Sequence, residues 1–225
     1  MIHLVLFDID GTLIHTSGAG EKAFGRAFAH VFGVHGGAEK LKFAGRTDVG
    51  IVREFLIQNA IAPSAENLEL FFDTYVFLLD HNLQHLPGGV HPGVWTWLET
   101  LRALPHQPAV GLLTGNIRLG AEIKLRRFDL WDHFATGGFA DDSADRNEIA
   151  AAAKRRGEAL LGRPLRGEEV LVIGDTPLDI TCARAIGAKV VAVGTGQYRT
   201  RDLATHQPDW AVDRLDQLCA RELCG

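Results

Sequence analysis

Two aspartates one residue apart, Asp8 and Asp10, follow a short apolar run near the start of the chain and precede Gly11 and Thr12. One interpretation is a strand-to-turn transition, in which the Asp side chains accept hydrogen bonds from backbone amides. That interpretation must account for both acids, and a bound cation accounts for the pair more naturally. Mg²⁺ prefers oxygen ligands and usually takes a few protein carboxylates together with phosphate and water. The pair therefore predicts a magnesium site where the first strand ends.

A second acidic segment, Gly174 to Asp179, also comes directly after an apolar run. It begins a helix well, with Thr176 as the N-cap and Asp179 at the third helical position, so capping is an alternative role for Asp179. Asp175 precedes that cap and has no such role. If the two strands are neighbours, Asp175 meets the first pair of acids. Three unpaired carboxylates would repel one another unless a divalent cation compensates their charge.

A third polar segment, Thr114-Gly115-Asn116, ends another apolar run just before a predicted helix. Asn116 is a good N-cap residue, which is the structural interpretation of this segment. In the functional interpretation, the Thr114 hydroxyl and the Gly115 amide hold phosphate oxygens near the helix N-terminus.

The elements that position these residues are short runs rich in Val, Ile and Leu, which is typical of strands buried on both faces of a parallel sheet. The predicted strands are His3–Phe7, Ala109–Leu113, Val170–Ile173 and Val190–Val193. The predicted helices are Val94–Leu104, Ile117–Leu130, Glu148–Leu161 and Pro177–Ile186. Strands that alternate with helices imply right-handed βαβ crossovers. We therefore predict an α/β fold with a doubly wound, Rossmann-like parallel sheet as its core.

Residues 16–89 interrupt the alternation with helical patterns only, and the stretch ends at Pro87-Gly88-Gly89. Phe24, Phe28 and Phe32 share one helical face, and no strand run intervenes before residue 90. We predict an inserted all-helical cap domain at 16–89 and an α/β core formed by 1–15 and 90–225. Open α/β sheets bind ligands at the carboxyl ends of their strands, where such a cap would exclude water.

Composition limits the classes of partner. A net charge of −5 argues against a nucleic-acid partner held by electrostatics. No apolar run approaches the roughly 20 residues of a membrane span, and the chain shows no signal-peptide pattern, so we expect no membrane partner. The three cysteines show neither metal-binding spacing nor an even-numbered disulfide framework, which favours a reducing cytoplasm.

Together these motifs identify the chain as similar to the haloacid dehalogenase-like hydrolase superfamily, in its phosphoglycolate-phosphatase-like branch with a helical cap. The segment from Phe7 to Leu13 resembles the family's first motif. Residues 113–116 resemble the second motif, and Gly174 to Asp179 the fourth. The resemblance covers essentially the whole chain in the right order.

The resemblance implies a Mg²⁺-dependent phosphatase that hydrolyses a small-molecule phosphate ester through an aspartyl phosphate. Asp8 would attack phosphorus, and Asp10 would protonate the leaving oxygen and then deprotonate water. Mg²⁺ would be held by Asp8, the backbone carbonyl of Asp10 and Asp175, with Asp179 in support. Thr114, with Gly115 and Asn116 beside it, would bind the phosphate. Phosphoglycolate leads the candidate substrates, with a sugar or nucleotide monophosphate close behind.

One motif departs from the family pattern. The third motif normally supplies a Lys that pairs with the nucleophile, and Arg146 stands where that Lys is expected. An Arg can neutralise phosphate, although its planar fork differs from a compact ammonium. The alternative is a helix-start Arg in a solvated acidic loop. In the cap, Arg46 interrupts the helices and is a candidate for contact with substrate, with Thr47 as an N-cap beside it.

Other functions stay open at this point. A dehalogenase of the same fold does not need a second acid, because halide leaves without protonation, so Asp10 favours phosphoryl transfer. A sugar phosphomutase of the superfamily is harder to exclude. A phospho-accepting receiver domain places acids at strand ends as well, but it needs about half this length and has no large cap. A non-catalytic relative is the remaining alternative.

Overall fold

The computed structural model describes residues 1–225. Six parallel strands form the main sheet and two short strands form a separate ribbon. In chain order the strands are β1 (Leu4–Phe7), β2 (Ile14–His15), β3 (Gly89–Val90), β4 (Ala109–Leu113), β5 (Thr136–Gly138), β6 (Val170–Gly174), β7 (Lys189–Val193) and β8 (Trp210–Val212).

Nine α-helices accompany the strands. They are α1 (Ala19–Phe32), α2 (Asp48–Gln58), α3 (Ala65–His85), α4 (Val94–Ala103), α5 (Arg118–Arg126), α6 (Arg146–Leu161), α7 (Pro177–Ala185), α8 (Thr200–Ala204) and α9 (Ala220–Cys224). None of them combines the length and the apolar character that crossing a membrane would require.

The order of the strands decides which loops meet. The main sheet runs β5-β4-β1-β6-β7-β8, so β1 lies between β4 and β6. Phe7 at the end of β1 is in register with Leu112 on one side and Ile173 on the other. The loops that leave these three strands therefore share one edge of the sheet, at the point where the strand order reverses. This α/β arrangement confirms the predicted fold class.

Apolar side chains cover both faces of the sheet, as expected for a parallel sheet between layers of helices. One cluster of 23 buried residues includes Val5, Phe7 and Trp97, and another of 16 includes Leu4, Leu6 and Ile149. Because successive residues of β1 point to opposite faces, this single strand contributes to both clusters.

Helices α1, α2 and α3 build a third hydrophobic cluster of 17 buried residues. Phe28 stacks on Phe55 of α2 at 3.8 Å between ring centroids and lies 4.4 Å from the ring of Phe71 in α3. Ribbon pairing of Ile14 with Val90 brings the two ends of this helical segment side by side. We propose the division of the chain at 15/16 and 89/90 on these grounds.

The predicted elements occur, with ends that differ by a few residues. The sequence patterns gave no indication of β5, β8 or the ribbon. Two of the three residues of β5 are glycine, and β8 is a half-buried strand of three residues at the sheet edge. Strand β5 presents no apolar run, and the apolar run of β8 is only three residues long, so pairing with a neighbouring strand determines that each of them forms.

Two helical glycines give a matched prediction about packing. A Cβ on Gly157 would lie 2.5 Å from Cδ2 of the fully buried Leu4, whereas a Cβ on Gly25 would meet only Ala38, at 3.5 Å. Replacing Gly by Ala favours a helix by about 1 kcal/mol, and overpacking a core costs about 1–3 kcal/mol. In urea denaturation we expect Gly25→Ala to stabilise the protein and Gly157→Ala to destabilise it. Equal effects of the two substitutions would contradict the packing of α6 on β1.

Candidate active site

Three buried carboxylates gather at the edge where β1 and β6 end. Oxygen atoms of Asp8, Asp175 and Asp179 lie within 4.8 Å of one another. Asp8 is 5% exposed, Asp175 is 3% exposed and Asp179 is not exposed. The Asp8 amide donates to the Ile173 carbonyl at 2.9 Å, which extends the pairing of β1 with β6 up to the site. The strand order therefore brings together acids that are more than 160 residues apart in the chain.

The Asp175 carboxylate is fixed by close backbone packing. Thr12 donates its hydroxyl to Asp175 Oδ1 at 3.1 Å. Gly11 has a φ of +84°, and a Cβ there would lie 2.5 Å from Asp175 Oδ2. A Cβ on Gly196 would collide with the same oxygen. The loop after β1 and the loop after β7 thus leave room for this carboxylate only because glycine stands at both positions.

The charges of these acids are not balanced by the protein alone. Burial and then the neighbouring charge of Asp179 raise the pKa of Asp8 to about 7, against the opposing effect of Arg146. Burial, followed by the charges of Asp8 and Asp179, raises the pKa of Asp175 well above its usual range. A group of oxygen donors that resists ionisation is the environment that a hard divalent cation stabilises. The residues present therefore fit a divalent metal.

Arg146 is the cation that the structure places beside this cluster. It is the first residue of α6, behind the N-cap Asp145, and is buried at 7% exposure. Its Nη2 lies 3.5 Å from Asp8 Oδ1 and forms an ion pair with Asp179. Its Nη1 donates to the carbonyl of Gly45 in the helical segment at 3.0 Å. The guanidinium contacts two core acids and the cap loop at once, which a single ammonium nitrogen does less readily.

Asp179 has the capping role that the sequence suggested, and it also contacts Arg146. Its Oδ2 accepts from the amide of Thr176 at 2.9 Å and from the Thr176 hydroxyl at 2.7 Å, completing a capping box at the start of α7. Its Oδ1 accepts from Arg146. Asp179 therefore holds the helix start and orients the guanidinium at the same time.

The Asp10 carboxylate is not part of this cluster and is bound by a lysine that the sequence analysis missed. Lys124 Nζ donates to Asp10 Oδ2 and to Asn116 Oδ1, at 2.6 Å in each case. Asn116 Nδ2 donates to the same Asp10 oxygen at 2.9 Å. Lys124 is 4% exposed and lies one turn from Ala121 on the buried face of α5. A charge on an otherwise apolar helical face was the available signal.

Residues 114–116 of the second motif line the cavity at the end of β4. Thr114 is fully buried, and its Oγ1 accepts from Asn116 Nδ2 at 2.8 Å. The Gly115 amide donates to no acceptor of the chain, so it is free for a ligand. Asn116 does not cap the following helix, because Ile117 holds the N-cap position of α5. The structure therefore places all three residues at the site and directs the Asn116 amide group to Asp10.

The cap loop between Phe43 and Asp48 lies directly against the second motif. The Asp48 amide donates to the Gly115 carbonyl at 2.7 Å, and Asp48 Oδ2 accepts from the Ile117 amide at 2.9 Å. A Cβ on Gly115 would collide with the Arg46 carbonyl oxygen. The absence of a side chain at Gly115 thus permits this contact between cap and core.

Arg46 lines the cavity, but partners within the cap hold its guanidinium. Its guanidinium forms an ion pair with Glu54 in α2 and donates to the Lys42 carbonyl at 3.4 Å. Thr47 caps α2, as expected, and its hydroxyl also donates to the Ala144 carbonyl at 2.9 Å. The predicted contact of Arg46 with substrate stays a prediction.

These side chains enclose a cavity of about 320 Å³ between the sheet edge and the three cap helices. Only 6 of its 28 lining residues are hydrophobic, so it suits a small polar ligand. Asp8, Asp10, Thr114, Arg146 and Asp175 all line it.

The sheet order and the acids at its switch point define a hydrolase of the haloacid dehalogenase kind. A family model described as haloacid dehalogenase-like hydrolase matches residues 5–193, and the chain belongs to that family.

Individual relatives agree with this assignment. A phosphoglycolate phosphatase of Chromobacterium violaceum is 28% identical over 224 residues, covering 96% of this chain and 95% of the relative. A phosphoglycolate phosphatase of Pseudomonas fluorescens is 27% identical over 222 residues, covering 96% and 78%. The crystal structure of a hydrolase from Pseudomonas syringae is similar in fold, with a TM-score of 0.70, 22% identity and coverage of 95% and 94%. The predicted family and the prediction of an enzyme of the phosphatase class are confirmed.

Buried Asp48 gives a prediction about pH. Burial raises the pKa of Asp48 to about 7, so the folded protein keeps a proton that the unfolded chain releases from about pH 4 upward. The stability that this proton contributes is complete below about pH 4 and is lost as the pH rises through about 7. Asp48→Asn retains an oxygen that accepts from the Ile117 amide but cannot ionise. In urea denaturation with EDTA, we compare the free energies of unfolding of the variant and of wild type. We expect the difference between them to change by roughly 2–4 kcal/mol in favour of the variant as the pH rises from about 5 to about 8.

A difference between variant and wild type that does not change with pH would contradict the buried, ionisable state of Asp48. Asp73→Asn is the control, since Asp73 is an exposed residue of α3, and we expect its difference from wild type to stay constant.

Proposed function

We propose that this protein is a Mg²⁺-dependent phosphatase that hydrolyses a small phosphate monoester through an aspartyl phosphate on Asp8. The observation that carries the proposal is the position of Asp8. Its carboxylate is buried beside Asp175 and the Arg146 guanidinium, at the base of a polar cavity into which Asp10 also points. Phosphatase relatives that match along nearly the whole chain support the same class.

Asp8 is the proposed nucleophile. A carboxylate attacks a phosphate dianion slowly in water, because both are negative, so the site must neutralise charge and align the reactants. Arg146 lies 3.5 Å from Asp8 and supplies fixed positive charge. The buried Thr114 hydroxyl and the free Gly115 amide are positioned to hold phosphate oxygens. Attack forms the bond from Asp8 oxygen to phosphorus and breaks the bond from phosphorus to the ester oxygen.

Asp10 is the proposed general acid and base. In its protonated form it gives its proton to the departing ester oxygen, which leaves as an alcohol. It then accepts a proton from the water that attacks phosphorus, which releases phosphate and restores the Asp8 carboxylate. Lys124 and Asn116 both donate to Asp10 Oδ2, which fixes the orientation of the carboxyl and leaves its Oδ1 for the transferred proton.

Asp8 and Asp175 would hold Mg²⁺ with their side chains, and Asp10 would do so with its backbone carbonyl. Asp179 supports the site through Thr176 and Arg146. When bound, the cation supplies charge neutralisation for the carboxylates and for the phosphate. A dehalogenase needs no second acid, because halide leaves without a proton. The geometry around Asp10 therefore favours phosphate ester hydrolysis over dehalogenation.

The cavity limits the substrate to a small molecule. A volume of about 320 Å³ must hold the phosphate and the remainder of the ester beneath the cap helices. We propose a phosphoglycolate-like ester or a sugar phosphate as the substrate class.

A first prediction concerns the nucleophile. We expect wild type to release phosphate from p-nitrophenyl phosphate only when Mg²⁺ is present. Asp8→Asn should lose at least about 10³-fold in kcat, because the amide cannot form the covalent intermediate. Asp142→Asn is the control, since Asp142 pairs with Arg156 outside the cavity. Activity that survives in Asp8→Asn would refute the proposed mechanism.

A second prediction separates the two tasks of Asp10. p-Nitrophenolate is a good leaving group and departs without a proton, so Asp10→Asn should still form the aspartyl phosphate. Hydrolysis of that intermediate should slow by about 10²–10⁴-fold, because no base activates water. Rapid-mixing measurements should then show a burst of p-nitrophenolate of one equivalent per chain. A linear release without a burst, at an unchanged rate, would exclude Asp10 from the second step.

A further inference from the structure

The end of the cavity nearest the cap contains hydrogen-bond donors that the proposed chemistry leaves free. Tyr75 in α3, Lys124 in α5 and Gly20 in α1 meet there, and all three line the cavity. A Cβ on Gly20 would lie 3.6 Å from Lys124 Nζ and 3.7 Å from the Tyr75 hydroxyl. Three helices thus converge on one small space beside the Asp10 carboxyl.

The Tyr75 hydroxyl has no hydrogen-bond partner in the chain, although the residue is only 1% exposed. Its ring packs at 4.6 Å from Phe24 and 6.1 Å from Phe71, between ring centroids, so the side chain cannot turn toward solvent. A buried tyrosine hydroxyl normally has a partner. The hydroxyl of Tyr75 faces the cavity instead, where a ligand can provide one.

Lys124 brings a positive charge and an unused donor to the same space. An ammonium has three N–H donors, and two of those of Lys124 are taken by Asp10 and Asn116. A Cβ on Gly20 would be in ordinary contact with both Nζ and the Tyr75 hydroxyl, so the third donor lies next to the space between these residues.

The N-terminus of α1 adds backbone donors. The Ala19 amide donates to the Thr16 carbonyl, and the Lys22 amide donates to the Gly18 carbonyl. The amides of Gly20 and Glu21, between them, donate to no acceptor in the chain. Unpaired amides and the dipole of a 14-residue helix favour an anion at this position.

We propose that these groups form a subsite for a carboxylate carried by the alcohol part of the substrate. The proposal rests on the proposed function and specifies its substrate class as the phosphate ester of a short hydroxy acid. The free groups at this end are the Lys124 ammonium, the Tyr75 hydroxyl and the two backbone amides of α1, a set in which donors and positive charge predominate. This set matches a carboxylate, since a carboxylate only accepts hydrogen bonds.

The position of Lys124 also fixes the length of the substrate. Its Nζ lies 2.6 Å from Asp10 Oδ2, and Asp10 protonates the leaving oxygen in the proposed reaction. A carboxylate bound to the same ammonium is therefore separated from the leaving oxygen by very few bonds. A 2-phospho-hydroxy acid has this spacing.

Non-hydrolysable ligands test the subsite without depending on turnover. The two probes are 3-phosphonopropionate and 3-hydroxypropylphosphonate, which differ in having a carboxylate or a neutral hydroxymethyl group at the far end. Isothermal titration calorimetry of wild type with Mg²⁺ should show at least about tenfold tighter binding of the carboxylate, as hydrogen bonds to a charged group predict.

Two variants should reduce this preference. Tyr75→Phe removes the unpartnered hydroxyl and should lower the ratio of the two affinities by about tenfold. Gly20→Ala adds a methyl group at ordinary contact distances, so the protein should fold with an unchanged or higher melting temperature while the carboxylate space is filled. We expect the same loss of preference. Tyr198→Phe, at the other tyrosine of the chain and outside the cavity, is the control and should leave the ratio unchanged.

Equal binding of the two probes by wild type would overturn the subsite, and so would an unchanged ratio in both variants. Release of phosphate from 2-phosphoglycolate and from 2-hydroxyethyl phosphate separates this proposal from the proposed function. If wild type hydrolyses both esters equally well, the phosphatase assignment stands and the carboxylate subsite is wrong. If wild type prefers the carboxylate probe but hydrolyses neither ester, the subsite stands and the proposed function is wrong.

Discussion

The mutual repulsion of three buried carboxylates is the constraint on which the rest of the site depends. Asp8, Asp175 and Asp179 have oxygen atoms within 4.8 Å of one another in a region that excludes solvent. Such a cluster persists only if cations and hydrogen bonds offset its charge. The packing of Gly11 against Asp175, the capping box around Asp179 and the burial of Arg146 all follow from that need. The remaining imbalance is what a divalent cation would remove.

Arg146 connects this electrostatic requirement to the cap. The same guanidinium contacts Asp8 and Asp179 in the core and donates to the Gly45 carbonyl in the cap loop. Contacts of Asp48 with Gly115 and Ile117 hold the loop from the other side. The Arg146 guanidinium therefore links one side of the cap loop to the charge beside the proposed nucleophile. The planar fork of an arginine makes this connection possible, because it can serve several acceptors at once.

The sequence predicted those parts of the site in which the spacing of residues alone indicates their role. Acids that directly follow apolar runs predicted both the strands and the shared edge, since parallel strands present their carboxyl ends together. Lys124 could not be found in the same way, because its role depends on α5 turning one face toward Asp10. The ion pair of Arg46 with Glu54 also depends on how the loop joins α2. Strand β5 forms through pairing with β4 rather than through its own residues, two of which are glycine.

The central claim is that the acidic cluster is completed by one divalent cation. Isothermal titration calorimetry with MgCl₂ at neutral pH tests it most directly. The account predicts binding of a single ion to wild type and to Asp142→Asn, and loss of that binding in Asp175→Asn, which keeps the shape of the side chain but removes its charge. If wild type shows no saturable binding of Mg²⁺, or Asp175→Asn binds it as tightly as wild type does, the account is contradicted.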